Sequence, residues 1–349
     1  MRQQPFQNQR ADVAGTRDDG PEHPLVNDRK RLCNQSLHST QVNQAPQSEL
    51  ARSVLQWTPW VPLQGCRRGP TIVSEPGLYR IRRLASDHLD YVGQTGLPLR
   101  QRLGMLAGIY KPAMPYRDPH TAGPALWALR HATSCDFEAS VCPIDGPGPW
   151  RKGWEAVAIA LYRQEHGHSP TVNFGRMPVG YRMSSGNNAR LVAAGKRFHG
   201  GRCADDDTSH LDGIPPAGPL TGNPEAAEWN GHAWSDWVLL PQGLRLVPAG
   251  ELGLYRIRGR VGSGLLYIGE GVVRSRLSQH FAKITKPAHP RGATFGNAGQ
   301  LSASWVLNSV WRDHQRLELE TDLIAAHLLE TGRVPPAQFL GEGSRAGVR

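Results

Sequence analysis

At 349 residues the chain has the length of about two domains. A hydrophobic fraction of 39% with 20% charged residues describes a soluble globular sequence, and 39 Gly with 28 Pro imply many turns. Forty Lys plus Arg against thirty Asp plus Glu leave a net +10, and only six of the forty are Lys. That balance suits planar, bidentate contact with phosphate, and equally a plain solubility charge. No apolar run approaches the ~18 residues of a membrane span, and the start Met1-Arg2-Gln3-Gln4-Pro5 lacks the apolar core of a signal peptide. No membrane partner is expected, and the expected location is cytoplasmic. Cys33, Cys66, Cys135, Cys142 and Cys203 are scattered and form no C-x-x-C pair, which argues against a disulfide framework or a thiolate zinc site.

In chain order, residues 1–53 hold seven basic and six acidic residues among many Gln, Asn and Ser. With few large apolar side chains, this composition predicts a disordered arm. Residues 54–174 then carry +4 and 229–349 carry +5. Between them, 175–202 has six bases and no acid, and 203–228 has six acids and no base. The first piece reads as a basic tail; the second, with Asp205-Asp206-Asp207 and Pro215-Pro216, reads as an acidic linker.

Comparing the chain with itself explains the two flanking blocks. Gly77-Leu78-Tyr79-Arg80-Ile81-Arg82 recurs letter for letter as Gly253-Leu254-Tyr255-Arg256-Ile257-Arg258, and Tyr91-Val92-Gly93 meets Tyr267-Ile268-Gly269 at the same offset of 176. Downstream, Glu155 to Phe174 parallels Glu320 to Phe339; upstream, Trp57-Thr58-Pro59-Trp60 parallels Trp234-Ser235-Asp236-Trp237. The chain is a tandem duplication of one unit, at 54–174 and 229–339, with a short tail at 340–349.

Alternating apolar and basic residues predict strands at 77–83 and 253–260, each followed by a polar turn and a second short strand, at 89–93 and 265–269. A helix carrying Arg100 and Arg102 comes next, matched by one carrying Arg274, Arg276 and His280. Third strands are expected at 137–142 and 303–307. Amphipathic helices follow at 154–166 and 317–331, stopped by Gly167 and Gly332 in C-cap position. The unit is β-β-α-β-α, a small α/β layer built twice. The Trp-x-x-Trp pair ahead of each first strand reads as a cap on the core.

A Gly-Leu-Tyr strand, a Tyr-Val-Gly strand about a dozen residues on, a helical Arg, a later helical Glu and a terminal Asn stand in that order, and the set recurs in the second copy with Tyr-Ile-Gly and with Gln338 in place of the Asn. The set resembles the GIY-YIG nuclease family over roughly 77–174 and 253–339. The resemblance implies two α/β domains of GIY-YIG type and hydrolysis of phosphodiester bonds. It assigns catalytic roles to Tyr79, Tyr91, Arg102, Glu155 and Asn173 in the first copy, and to Tyr255, Tyr267, Arg276, His280 and Glu320 in the second. Glu155 and Glu320 are the expected metal ligands, because Mg²⁺ or Mn²⁺ is usually held by one or two carboxylates plus phosphate and water. Arg102 and Arg276 suit the charge that grows on phosphate, with a guanidinium that keeps its proton. A tyrosine acting as general base needs positive charge nearby, since the phenol alone titrates near ~10.

Gly77, Gly93, Gly253 and Gly269 are expected to be structural, permitting close backbone approach. Phosphate and base-edge contacts are expected from Arg100, Lys111, Arg182, Asn187, Asn188, Arg190, Arg274 and Lys286. Each residue alone has a plainer reading: a strand tyrosine usually packs, Glu155 suits a helix N-terminus, and Arg100 and Arg102 suit a solvated face. Ordered repetition is what favours the nuclease.

The copies depart from the pattern in different places. His280 stands four residues after Arg276, where the first copy has Leu106; Asn173 ends the first copy and Gln338 the second; Glu270 follows Tyr-Ile-Gly where the first copy has neutral Gln94. Asn173 and the basic tail make the first copy the expected active centre, with the second a further centre or a binding domain. The expected activity is cleavage of double-stranded DNA, in restriction or defence. Repair or structure-specific cleavage is an alternative, as is a nucleic-acid-binding protein with one or both sites inert. Cutting both strands fits a homodimer or a monomer with a pseudo-twofold pair of sites.

Overall fold

The two Gly-Leu-Tyr-Arg-Ile-Arg segments become interior strands of two antiparallel four-stranded sheets in the computed structural model, which describes residues 46–115, 122–184, 194–195, 200–203, 212–260, 264–284, 286 and 289–340. Strands β1 (Val61–Pro62), β2 (Gly77–Arg83), β3 (Leu89–Thr95) and β4 (Phe137–Pro143) lie in the order β1-β4-β2-β3. A ribbon of β5 (Tyr181–Arg182) and β6 (Gly201–Arg202) follows. Strands β7 (Val238–Leu239), β8 (Leu252–Gly259), β9 (Leu265–Val272) and β10 (Leu301–Leu307) then repeat the first order as β7-β10-β8-β9. Register repeats too: Tyr79 lies opposite Gly93 and Tyr255 opposite Gly269, with an irregularity after Ile81 and after Ile257.

The helices are α1 (Pro46–Val54), α2 (Leu99–Leu106), α3 (Ala122–Thr133), α4 (Gly148–His166), α5 (Leu240–Leu246), α6 (Val273–Ile284), α7 (Pro290–Asn297) and α8 (Asp313–Thr331). The described residues therefore form a mixed α/β structure with antiparallel sheets. Each copy is richer than β-β-α-β-α, because a second helix, α3 or α7, precedes the third strand and a two-residue edge strand precedes the first. Residues Ala122 to Leu129 of α3 are all buried, so no polar face marks a helical period in the sequence. Helix α4 starts ahead of residue 154, with Pro149 in its first turn, where a missing N–H costs nothing. Gly167 (φ 75°) and Gly332 (φ 68°) end α4 and α8 in the left-handed conformation that glycine adopts without penalty.

Strand alternation sorts the core into layers. Tyr79 and Ile81 face an outer core with Leu99, Leu103 and Phe137, and Tyr255 and Ile257 face its counterpart with Leu277 and Phe295. Leu78 and Leu254 point the other way, into one shared core built on α4 and α8, which lie between the two sheets. On that side the strand arginines meet the paired tryptophans. The Arg80 guanidinium sits 4.6 Å from the ring centroids of both Trp57 and Trp60, and Arg256 sits 4.3 and 4.7 Å from Trp234 and Trp237. Each Trp-x-x-Trp pair therefore clamps a cation from its own sheet, a contact of about 0.5–2 kcal/mol each.

A buried ionic group joins α4 to α8. Arg163 makes a two-pronged bond to Asp322 at 2.9 and 3.0 Å and donates to Ser169 Oγ at 2.7 Å. Glu318 lies 3.3 Å from Arg176 and 3.5 Å from Arg163, and it accepts from Ile214 N at 2.7 Å. Two cations and two anions thus neutralise one another away from water. The described residues all belong to a single compact unit that contains both copies, while 1–45 lie outside the described residues.

Three expectations are altered in detail. The arm expected to be disordered through residue 53 is helical from Pro46, because Leu50, Ala51 and Val54 pack into the shared core. Arg176 of the basic tail is 3% exposed and belongs to the buried ionic group. The described part of the acidic linker, 212–228, is laid over the second copy by Ile214 N on Glu318, by Glu225 O accepting from Trp237 at 3.0 Å, and by the Arg258–Glu225 ion pair. Among the described residues no helix is long and apolar enough to cross a membrane.

Candidate active site

In both copies the paired tyrosines meet across a glycine. Ring centroids of Tyr79 and Tyr91 are 5.9 Å apart, as are those of Tyr255 and Tyr267. A Cβ on Gly93 would stand 2.5 Å from Tyr91 Cε1 and 2.7 Å from Tyr79 Oη; one on Gly269 would stand 2.5 Å from Tyr255 Cζ and 2.7 Å from Tyr267 Cε1. The motif glycine leaves the space in which the first tyrosine lies over the facing strand. Gly77 and Gly253 differ in purpose: a Cβ there would run into the carbonyls of Cys142 and Val306 on the neighbouring strand.

The second copy gathers its predicted residues on one cavity. Tyr255, Tyr267, Arg276, His280, Glu320 and Gln338 line a space of about 400 Å³. Tyr255 Oη and His280 Nε2 are 2.8 Å apart, and the His280 ring lies 4.5 Å from that of Tyr267. Burial, with Arg291, Lys283 and Arg276 nearby, pushes His280 down to about 3, so its imidazole is neutral near pH 7. Burial holds the Tyr255 phenol well above its ordinary value of 10; Tyr267 and Glu320 raise it further, and Arg276 opposes them. Arg276 itself is exposed, on the rim shared with a second cavity of about 510 Å³ that runs along Glu270, Gly271 and Ser275. The charge of Glu270 is answered by Arg316, 2.9 Å away, which also pairs with Asp313.

The first copy is more closed. Tyr79, Tyr91 and Arg102 are 0%, 7% and 4% exposed. Leu106, at the position of His280, is part of the outer core. Tyr91, Glu155 and Asn173 line a cavity of about 250 Å³ that Glu320, Ile324 and Phe339 of the second copy also line. Both carboxylates therefore border one cleft between the copies. Burial raises Glu155 to about 7, with Lys152 and the Gln94 N–H pulling the other way. Phe174 and Phe339 occupy matching positions beside it with φ of 61° and 58°, a conformation uncommon for aromatic residues.

Asn173 does not separate the copies. Its amide accepts from Val92 N at 2.9 Å and donates to Val92 O at 2.8 Å. Gln338 makes the equivalent bond, accepting from Ile268 N at 3.0 Å. One extra methylene still reaches the equivalent strand, so either amide tethers the end of its copy to the open edge of β3 or β9.

The expected nucleic-acid contacts are dispersed. Arg100 donates to the carbonyls of Ile72 and Gly69. Lys111, Arg182, Arg274 and Lys286 are exposed and line none of the three cavities described above. Asn187, Asn188 and Arg190 lie outside the described residues. Unforeseen from sequence are Lys283, His289 and Arg291, which join the second copy's cavity; Arg291 also lies 4.8 Å from the Tyr267 ring and donates to Ala337 O at 3.1 Å. They come from the end of α6, the α6–α7 connection and the start of α7, where no periodicity points to them.

Among the described residues no group of three or more His, Cys, Asp or Glu side chains is arranged to hold a metal ion. Glu320 on a roomy, polar-lined cavity still fits a Mg²⁺-type ion, whose remaining ligands are ordinarily phosphate oxygens and water. Searched against family models, the curated proteins and the solved structures, the chain finds no match.

Proposed function

We propose that the chain is a metal-dependent endonuclease of GIY-YIG type that hydrolyses phosphodiester bonds in double-stranded DNA, with its more complete reaction centre in the second copy. The observation that carries this reading is the convergence of Tyr255, Tyr267, Arg276, His280 and Glu320 on one cavity. The exposed Arg276 is placed to bind a phosphate oxygen as charge develops there. With His280 neutral and Tyr255 protonated, the Tyr255 hydroxyl donates to Nε2, which holds the phenol oxygen in a fixed direction toward an attacking water. Glu320 would hold Mg²⁺ or Mn²⁺, which supplies Lewis-acid neutralisation of the phosphate. Lys283, His289 and Arg291 add positive or donor groups on the same wall.

A non-catalytic, binding role for the first copy is favoured by its buried Arg102 and by Leu106 in place of the histidine. The pseudo-twofold placement of Glu155 and Glu320 around one cleft supports a monomer with paired sites over a homodimer. Nicking of supercoiled plasmid in Mg²⁺, compared with EDTA, tests the reading. Glu320→Gln should abolish nicking and Glu155→Gln should leave most of it. Binding that shifts the plasmid without any nicking would overturn the enzyme, and loss on Glu155→Gln alone would return the centre to the first copy.

A further inference from the structure

The outer face of α2 borders a groove of about 560 Å³ that the catalytic scheme does not use, lined by Arg67, Arg68, Ser74, Arg100, Gln101 and Met105. The helix divides its side chains cleanly. Leu99, Arg102, Leu103 and Leu106 are buried, whereas Gln101 and Met105 face outward, as do Arg67 and Arg68 from the short turn Cys66–Arg68. Gly104 makes the groove: a Cβ there would stand 3.1 Å from Arg67 Cδ, so its absence lets the Arg67 stem lie along the helix.

The charge of this groove is uncompensated. Six other arginines are matched to carboxylates, in Arg82–Glu138, Arg83–Asp90, Arg130–Asp136, Arg163–Asp322, Arg258–Glu225 and Arg316–Glu270. Among the described residues no acidic side chain lines the groove, and neither Arg67 nor Arg68 makes an ion pair. Arg100 is fixed by neutral carbonyls, at 2.8 Å from Ile72 O and 3.4 Å from Gly69 O, which orient its guanidinium without cancelling its charge. Three guanidinium groups held together without acids favour an anion with several charges, and Ser74 and Gln101 add neutral hydrogen-bonding groups.

We infer that this groove is a phosphodiester-backbone site, distinct from the reaction cavity, through which the first copy holds duplex DNA for the second. The inference rests on the nuclease reading for the identity of its ligand. Phosphate contacts of this kind position a duplex without reading its sequence.

The test uses the full chain in EDTA and a labelled duplex, with affinity followed by fluorescence anisotropy between about 50 and 200 mM salt. Arg67→Gln/Arg68→Gln is compared with wild type, and Arg130→Gln, whose partner is Asp136, is the control. Loss of two phosphate contacts should lower the slope of log affinity against log salt by about 1.8, so the variant loses about twelvefold less affinity over that range. The control should match wild type. Nicking of plasmid by wild type in Mg²⁺ is recorded in parallel. An unchanged slope with nicking intact overturns the groove and leaves the nuclease. A reduced slope without nicking supports the groove and overturns the nuclease, and wild type that binds no duplex overturns both.

Discussion

Replacing Gly269 by alanine places one methyl group where the proposed reaction centre has no room. The new Cβ would lie 2.5 Å from Tyr255 Cζ and 2.7 Å from Tyr267 Cε1, against an ordinary contact of 3.4 Å or more. Tyr255 Oη stands closer still, so the Tyr267 ring must retreat by about 0.7 Å and the Tyr255 ring by at least 0.9 Å. Tyr255 is 1% exposed and stiff, so the retreat carries its hydroxyl away from His280 Nε2, now at 2.8 Å. Misplacement of a reacting group by about 1 Å costs about a hundredfold in rate, and overpacking costs about 1–3 kcal/mol of stability. Gly93→Ala meets the same obstruction, with Tyr91 Cε1 at 2.5 Å and Tyr79 Oη at 2.7 Å, and should lose similar stability. The two variants should then melt alike and nick differently, with only Gly269→Ala slow under single-turnover conditions. Full nicking by Gly269→Ala would refute a catalytic role for the tyrosine pair, and equal loss in both variants would refute the assignment to the second copy.

Two further outcomes follow from buried charge. Asp322→Ala leaves Arg163 ionised and without its two-pronged partner in a place that is 0% exposed, which should cost about 3–5 kcal/mol in urea denaturation. Loss below 1 kcal/mol, or about that, would mean water reaches the α4–α8 contact. Burial pushes His327 down to about 4, and its Nδ1 donates to Arg333 O at 2.9 Å. Its folded-state value is below the ordinary 6.5, so its contribution is complete above pH 6.5 and disappears as pH falls toward 4. At pH 5 that amounts to about 2 kcal/mol, from 1.36 kcal/mol per unit. Glutamine keeps the bond to Arg333 without titrating, so His327→Gln should show a shallower loss of stability between pH 6.5 and 5, and a curve parallel to wild type would contradict the burial argument.

The duplication, the paired strands, the capped helices and the residue set of each copy were all legible in the sequence, because strand alternation, glycine caps and repeated spacing are local features. The same repetition picks out the candidate tyrosines, arginines and glutamates. Contacts between distant segments were not legible. Helix α3 carries no polar face, since both of its sides meet protein. The choice between the copies rests in sequence on Asn173 against Gln338 and on the basic tail; the fold removes the first distinction by giving both amides equivalent strand partners, and it buries Arg176 of the tail. In its place stands a difference of access: Arg102 is buried and Leu106 belongs to the core, whereas Arg276 opens on a cavity with His280. The sequence by itself determined that one unit is built twice and which side chains each copy offers. Only the tertiary structure decided that α4 and α8 join them around a neutralised ionic core, that Glu155 and Glu320 border one cleft, and that the groove arginines are left without acids. Exposure, cavity shape and ion pairing depend on which distant groups pack together, and no local spacing encodes that.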